Sequence, residues 1–92
     1  MIQINPVHSF AYENTIIAIF HADKNQGLTK HQHNYSHATM CNSGSIVIRK
    51  ENKEFIMTKD TKPVNLVADE WHEIEALEDG TVFVNVFAEG KY

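Results

Sequence analysis

Cysteine is nearly absent. Cys41 stands alone, so the chain cannot close a disulfide within itself. The opening MIQINPVHSF has neither the basic stretch nor the long apolar stretch of a signal peptide, and the two features together point to a cytoplasmic protein. Long apolar runs are missing as well. The longest, residues 16–20, falls far short of the roughly 20 residues a membrane-spanning helix needs, so no membrane association is expected. Basic residues are scarce where acids gather: Asp69, Glu70, Glu73, Glu75, Glu78 and Asp79 occur with no Lys or Arg among them, in a chain of net charge -4. Such a surface repels phosphate backbones and excludes nucleic acid as a partner. No internal repeat, low-complexity tract or Pro/Gly-rich linker divides the sequence, and residues 1–92 read as one domain.

What is present is an ordinary globular composition. With 42% hydrophobic and 22% charged residues, the chain lacks the signature of disorder and should fold around one small core. Strand-sized segments rich in β-branched and aromatic residues alternate with turn sequences. The segments are 15–22 (TIIAIFHA), 38–42, 45–50 (SIVIRK), 54–58 (EFIMT), 64–68, 71–77 and 81–88 (TVFVNVFA). Between them lie DKNQG, NSG, ENK, KDTKP and EDG. Many short strands without a clear amphipathic helix predict an all-β sandwich or barrel. Residues 15–20 and 82–88 are apolar at nearly every position, which predicts that both faces of each strand are covered. The second cover is either the N-terminal segment or another copy of the chain, and a homodimer is the expectation.

Four of the six histidines form a pattern. In an extended strand residues two apart share a face, so His31 and His33 can present two imidazoles to one point. The intervening Asn34, Tyr35 and Ser36 are enough to turn the chain and return His37 to that point. In WHEIEA the acids Glu73 and Glu75 alternate with Ile74 and Ala76, which places His72 on the inward face. An inward histidine on an apolar face needs a partner. An isolated HxH pair, or one buried histidine, is as readily a surface pair or a hydrogen-bonded core residue. The four together favour a site for one divalent transition metal ion. Thr39 and Cys41 share the parity of His37, which would put a thiol inside the barrel, or simply a small apolar residue in the core. Tyr35 shares the parity of the HxH pair but lies in the turn, where it either caps a pocket or stays at the surface. Trp71 should point outward; His8 and His21 fit no pattern.

The run HQHNYSHATMCNSG resembles the first motif of the cupins: a glycine, an HxH pair, a third ligand three or four residues later, and a glycine after six more. His31, His33, His37 and Gly44 match those positions, and His72 matches the histidine at the centre of the second cupin motif. The resemblance spans about residues 27–88. It departs from the pattern in three places. His37 stands where most cupins have Glu, Gly27 lies two positions closer to the HxH pair, and Val67 and Asp69 replace the usual Pro and Gly. The resemblance implies a jelly-roll β-barrel of the four-histidine type, with metal ligands His31, His33, His37 and His72. It also implies that the inward face of the last strand carries Phe83, Asn85 and Phe87 toward the pocket.

Four neutral imidazoles would leave the ion's charge uncompensated, so the expected ligand is a small anionic molecule. Imidazole suits Fe, Mn, Ni, Zn and Cu alike. Three functions follow. One is a metal-dependent enzyme of the non-haem dioxygenase kind acting on an anionic or enediol-like substrate. Another is a non-redox isomerase, lyase or hydrolase acting on a sugar or small carboxylate. The last is a non-catalytic binding or sensing module. Fold alone does not choose among them.

Overall fold

A computed structural model describes residues 1–88. These residues form ten strands and no helix: β1 (Ile2–Gln3), β2 (His8–Tyr12), β3 (Thr15–Ala22), β4 (Gln26–His31), β5 (His37–Ser43), β6 (Ser45–Lys50), β7 (Glu54–Thr58), β8 (Val64–Leu66), β9 (His72–Ala76) and β10 (Thr81–Ala88). Two five-stranded sheets, β1-β4-β9-β6-β7 and β2-β3-β10-β5-β8, face each other as a jelly-roll sandwich. All pairings are antiparallel except β1 with β4.

Inward positions at period two build the core. Ile46, Ile48, Met57, Ile74 and Ala76 from one sheet meet Ala18, Phe20, Cys41, Leu66 and Phe83 from the other, all at most 5% exposed. The tight turns use left-handed backbone where the hairpins require it, at Asn25, Gly44 and Gly80. Gly27 has a different role. A Cβ there would collide with the backbone carbonyl of Ile74, so only glycine lets β4 approach β9 this closely.

Segments 15–22, 45–50, 54–58 and 81–88 form strands with the expected bounds, while the expected 38–42 lengthens and 64–68 and 71–77 shorten. β1, β2 and β4 carry no clear alternation of their own and are strands because they pair with β4, β3 and β9. The N-terminal segment does not lie over β3: β2 runs beside it as an edge strand, exposed along its whole length. Pairing register lines up the outward side chains of this sheet in rows, Phe10–Ile17–Val86–Ala38 and His8–Ile19–Val84–Met40. None is charged. The acidic stretch, in contrast, is not bare: Arg49 reaches Glu75 at 2.7 Å and Glu73 at 3.6 Å, and Lys50 reaches Glu70 at 3.1 Å. Among the described residues no helix is long and apolar enough to cross a membrane.

Candidate metal centre

The site begins with an irregularity. β4 pairs with β9 as Gly27↔Glu75 and Leu28↔Ile74, then resumes at His31↔His72, so β4 spends one more residue than its partner. Strict alternation from the buried Leu28 would turn Lys30 inward. The extra residue reverses the parity, turning His31 toward His72 and leaving Lys30 outside, its ammonium 4.1 Å above the Trp71 ring. The bulge is held by Gln3 of β1, whose Oε1 accepts from the Thr29 amide at 2.7 Å and from the Thr29 hydroxyl at 2.8 Å. His33 lies just past the strand end, in the loop that leads to His37 at the start of β5. His72 opens β9 and is fully buried.

Each imidazole is oriented through Nδ1. His31 donates to the Thr29 carbonyl at 2.6 Å, His33 to the Tyr35 carbonyl at 2.7 Å, and His72 to the Glu70 carbonyl at 3.2 Å. A carbonyl only accepts, so in these neutral rings Nδ1 carries the proton and Nε2 a free lone pair. His37 reaches the same tautomer by another route. The Thr39 hydroxyl donates its single proton to Asn85 Oδ1 at 2.7 Å, and therefore accepts from His37 Nδ1 at 3.1 Å. Outer hydrogen bonds of this kind fix metal-binding histidines in position.

The freed nitrogens converge. Ligand atoms of His31, His33 and His72 lie within 4.8 Å of one another, a group able to hold a metal ion. His37 stands outside that group, yet its Nε2 is 3.3 Å from Nε2 of His72. Ring contacts join His31 to His33 and His72, and join His37 to His33 and His72, so His31 and His37 occupy opposite corners. Two lone pairs at 3.3 Å have no proton to share. Nitrogens bound to one ion at 2.0–2.1 Å and separated by 90–109° would sit about 2.8–3.4 Å apart. The donor chemistry of these residues therefore fits a first-row divalent ion.

Burial, and secondly the charge of neighbouring histidines, lowers the pKa of both His37 and His72 from 6.5 to about 4. Both are neutral at pH 7, the state in which imidazole is a ligand.

Beside the histidines lies a cavity of about 250 Å³. Its apolar wall comprises Ala18, Phe20, Leu28 and Phe87, with Tyr35 at one side; the polar contributors besides histidine are Ser9 and Asn85. Tyr35 stacks on His33 at 4.2 Å and packs against Phe87 at 5.5 Å. Phe83 and Cys41 share the inward face with Asn85 but lie farther along their strands, in the core and away from the cavity. Phe83 is fully buried and stacked on Phe20 at 4.8 Å. Cys41 is closed in, its thiol donating to the Ser43 carbonyl at 3.3 Å and its pKa raised by burial. Parity places a side chain inside a barrel; depth along the strand decides whether it meets the cavity. Pro6, Ser9, Leu28 and the β3 side chains also border the cavity. Of these only Ala18 and Phe20 carry a sequence signal, through the alternation of their strand. Among the described residues no Asp, Glu, Lys or Arg lines it.

No sequence-family model matches this chain, and no curated protein matches it. Solved structures do. KdgF from Halomonas sp. superposes with a TM-score of 0.79 at 16% identity, over 88% of this chain and 74% of that one. A cupin 2 domain-containing protein from Halorhodospira halophila gives a TM-score of 0.77 at 16% identity, over 87% of this chain and 56% of that one. A cupin superfamily protein from Desulfitobacterium hafniense gives 0.72 at 11% identity, over 96% and 84%. The fold is a cupin fold. Within it, the cupin barrel places His31, His33 and His72 at one end of the core, where they can bind a metal ion.

Proposed function

We propose that this chain is a small four-histidine cupin, with His37 joining His31, His33 and His72 around one divalent ion, and that it is a metal-dependent enzyme of the dioxygenase kind. The observation that supports this reading is a cavity lined by histidines and mostly apolar side chains, with no carboxylate or amine among the described residues. When bound, an iron or manganese ion would supply a Lewis-acid centre capable of redox chemistry beside that cavity. The protein's part is to hold four oriented lone pairs, to exclude water with Phe20, Leu28 and Phe87, and to place a small anionic or enediol-like substrate near Asn85. An isomerase, lyase or hydrolase needs a proton carrier matched to its working pH. Glu73 and Glu75 face away, bound to Arg49, and among the described residues no other carboxylate reaches the cavity. A second copy of this chain is the partner proposed for the uncharged apolar face formed by β2, β3, β10 and β5.

The test is oxygen uptake by the iron-loaded protein across thiols, diketones, catechols and hydroxy acids. Consumption that depends on both iron and one substrate class supports the reading. Anaerobic turnover that survives replacement of iron by zinc replaces it with the non-redox alternative. Tight small-molecule binding without turnover leaves a sensing module.

A further inference from the structure

Asn85 is 93% shielded, at 7% exposure, yet only half of its amide is engaged within the protein. Its Oδ1 accepts from Thr39, and no residue accepts from its Nδ2 among the described residues. Which way round the amide sits is decided chemically. Thr39 has one proton. If His37 gives its Nε2 lone pair to a metal, its Nδ1–H must donate to Thr39, and the Thr39 proton must go to the Asn85 oxygen. The chain His37 to Thr39 to Asn85 therefore runs in one direction and ends with Nδ2 as a donor on the cavity wall. That donor is accessible from the cavity, where a ligand oxygen can accept from it.

The rest of the wall restricts the ligand's body. A volume of about 250 Å³ corresponds to roughly eight water molecules, hence to a compound on the order of ten non-hydrogen atoms. Ala18, Phe20, Leu28 and Phe87 offer no partner for hydroxyl groups, which leaves Ser9 and Tyr35 as the only hydroxyls on the wall, and among the described residues no Lys or Arg lines the cavity to meet a second negative charge.

We propose that Asn85 is the specificity-determining residue of the site, and that the cavity takes a small monoanion with a compact apolar body whose charged oxygen accepts from the Asn85 amide. This rests on the four-histidine reading above, and it narrows that reading: sugar acids and dicarboxylates are disfavoured although both are anionic.

The experiment uses cobalt(II)-loaded protein, with affinity measured by calorimetry and by the visible cobalt spectrum. Benzoate and isovalerate should bind at least tenfold more tightly than glucuronate or succinate. Asn85→Asp keeps the acceptor for Thr39 but replaces the donor with a negative charge. It should weaken benzoate binding tenfold or more while cobalt stoichiometry stays unchanged. Glucuronate or succinate binding as tightly as benzoate overturns the inference, as does an Asn85→Asp affinity within twofold of the parent. The comparison of anions needs no variant, so it decides the matter even if Asn85→Asp misfolds. A chain that takes up no cobalt fails at the metal reading instead, before any anion is added.

Discussion

Acid should loosen the metal-free protein well above the pH at which carboxylates titrate. His37 and His72 have pKa values of about 4 in the folded chain, set first by burial and then by the charge of neighbouring histidines, against 6.5 when unfolded. Between those values the unfolded chain binds protons that the folded chain does not. Stability is thus fully present above pH 6.5 and is lost as pH falls toward 4. Each group contributes a slope of about 1.4 kcal/mol per pH unit, or about 2 kcal/mol between pH 6.5 and 5. Protonating one ring discourages the next in the folded chain, which keeps the proton deficit of the pair near two over this interval. For a 92-residue domain the total stability is about 5–14 kcal/mol, so the loss is a large fraction of it. Urea unfolding of chelator-treated protein, followed by far-ultraviolet circular dichroism, should show the midpoint falling by roughly 1–2 M over that interval. His37→Gln, which can still bond to Thr39, should flatten the slope by about one proton. A midpoint constant from pH 6.5 to 5, or a slope untouched by His37→Gln, would refute the reasoning.

Three further outcomes are expected. Gly27→Ala should cost about 3 kcal/mol or more in urea unfolding, because its methyl group meets the Ile74 carbonyl and β4 must leave β9. Gln3→Ala should weaken zinc binding about tenfold in competition with a chromophoric chelator, with the fold retained, since Thr29 loses the anchor that sets the His31 ring. Sedimentation velocity at micromolar concentration should give near twice the 10.5 kDa chain mass, and Ile17→Glu, on the uncharged outer face, should return it to monomer.

The barrel was legible because its strongest strands are also its most regular: TIIAIFHA, SIVIRK and TVFVNVFA declare themselves by composition. His72 was legible for a related reason, standing in phase with Ile74 and Ala76, which are buried, against Glu73 and Glu75, which are half-buried. β4 was not legible. QGLTKH mixes glycine and charge, and its bulge breaks the alternation from which a strand is recognised. HxH parity points to the right neighbours through a simpler geometry than the real one, since His33 lies beyond the strand and His31 faces inward only because of the bulge. Cys41 and Phe83 show the complementary limit. Period two gives a side chain's face but not its depth, and both lie in the core away from the cavity. The roles of Gln3, Thr29 and Thr39 depend on hydrogen bonds between strands distant in sequence, which no local pattern encodes.

Elemental analysis of the protein purified from its natural host, paired with His31→Ala, tests the metal site most directly. About one transition-metal ion per chain is expected, lost or bound far more weakly in His31→Ala while the variant still folds. Protein that carries no transition metal, together with metal uptake unchanged by His31→Ala, would contradict it.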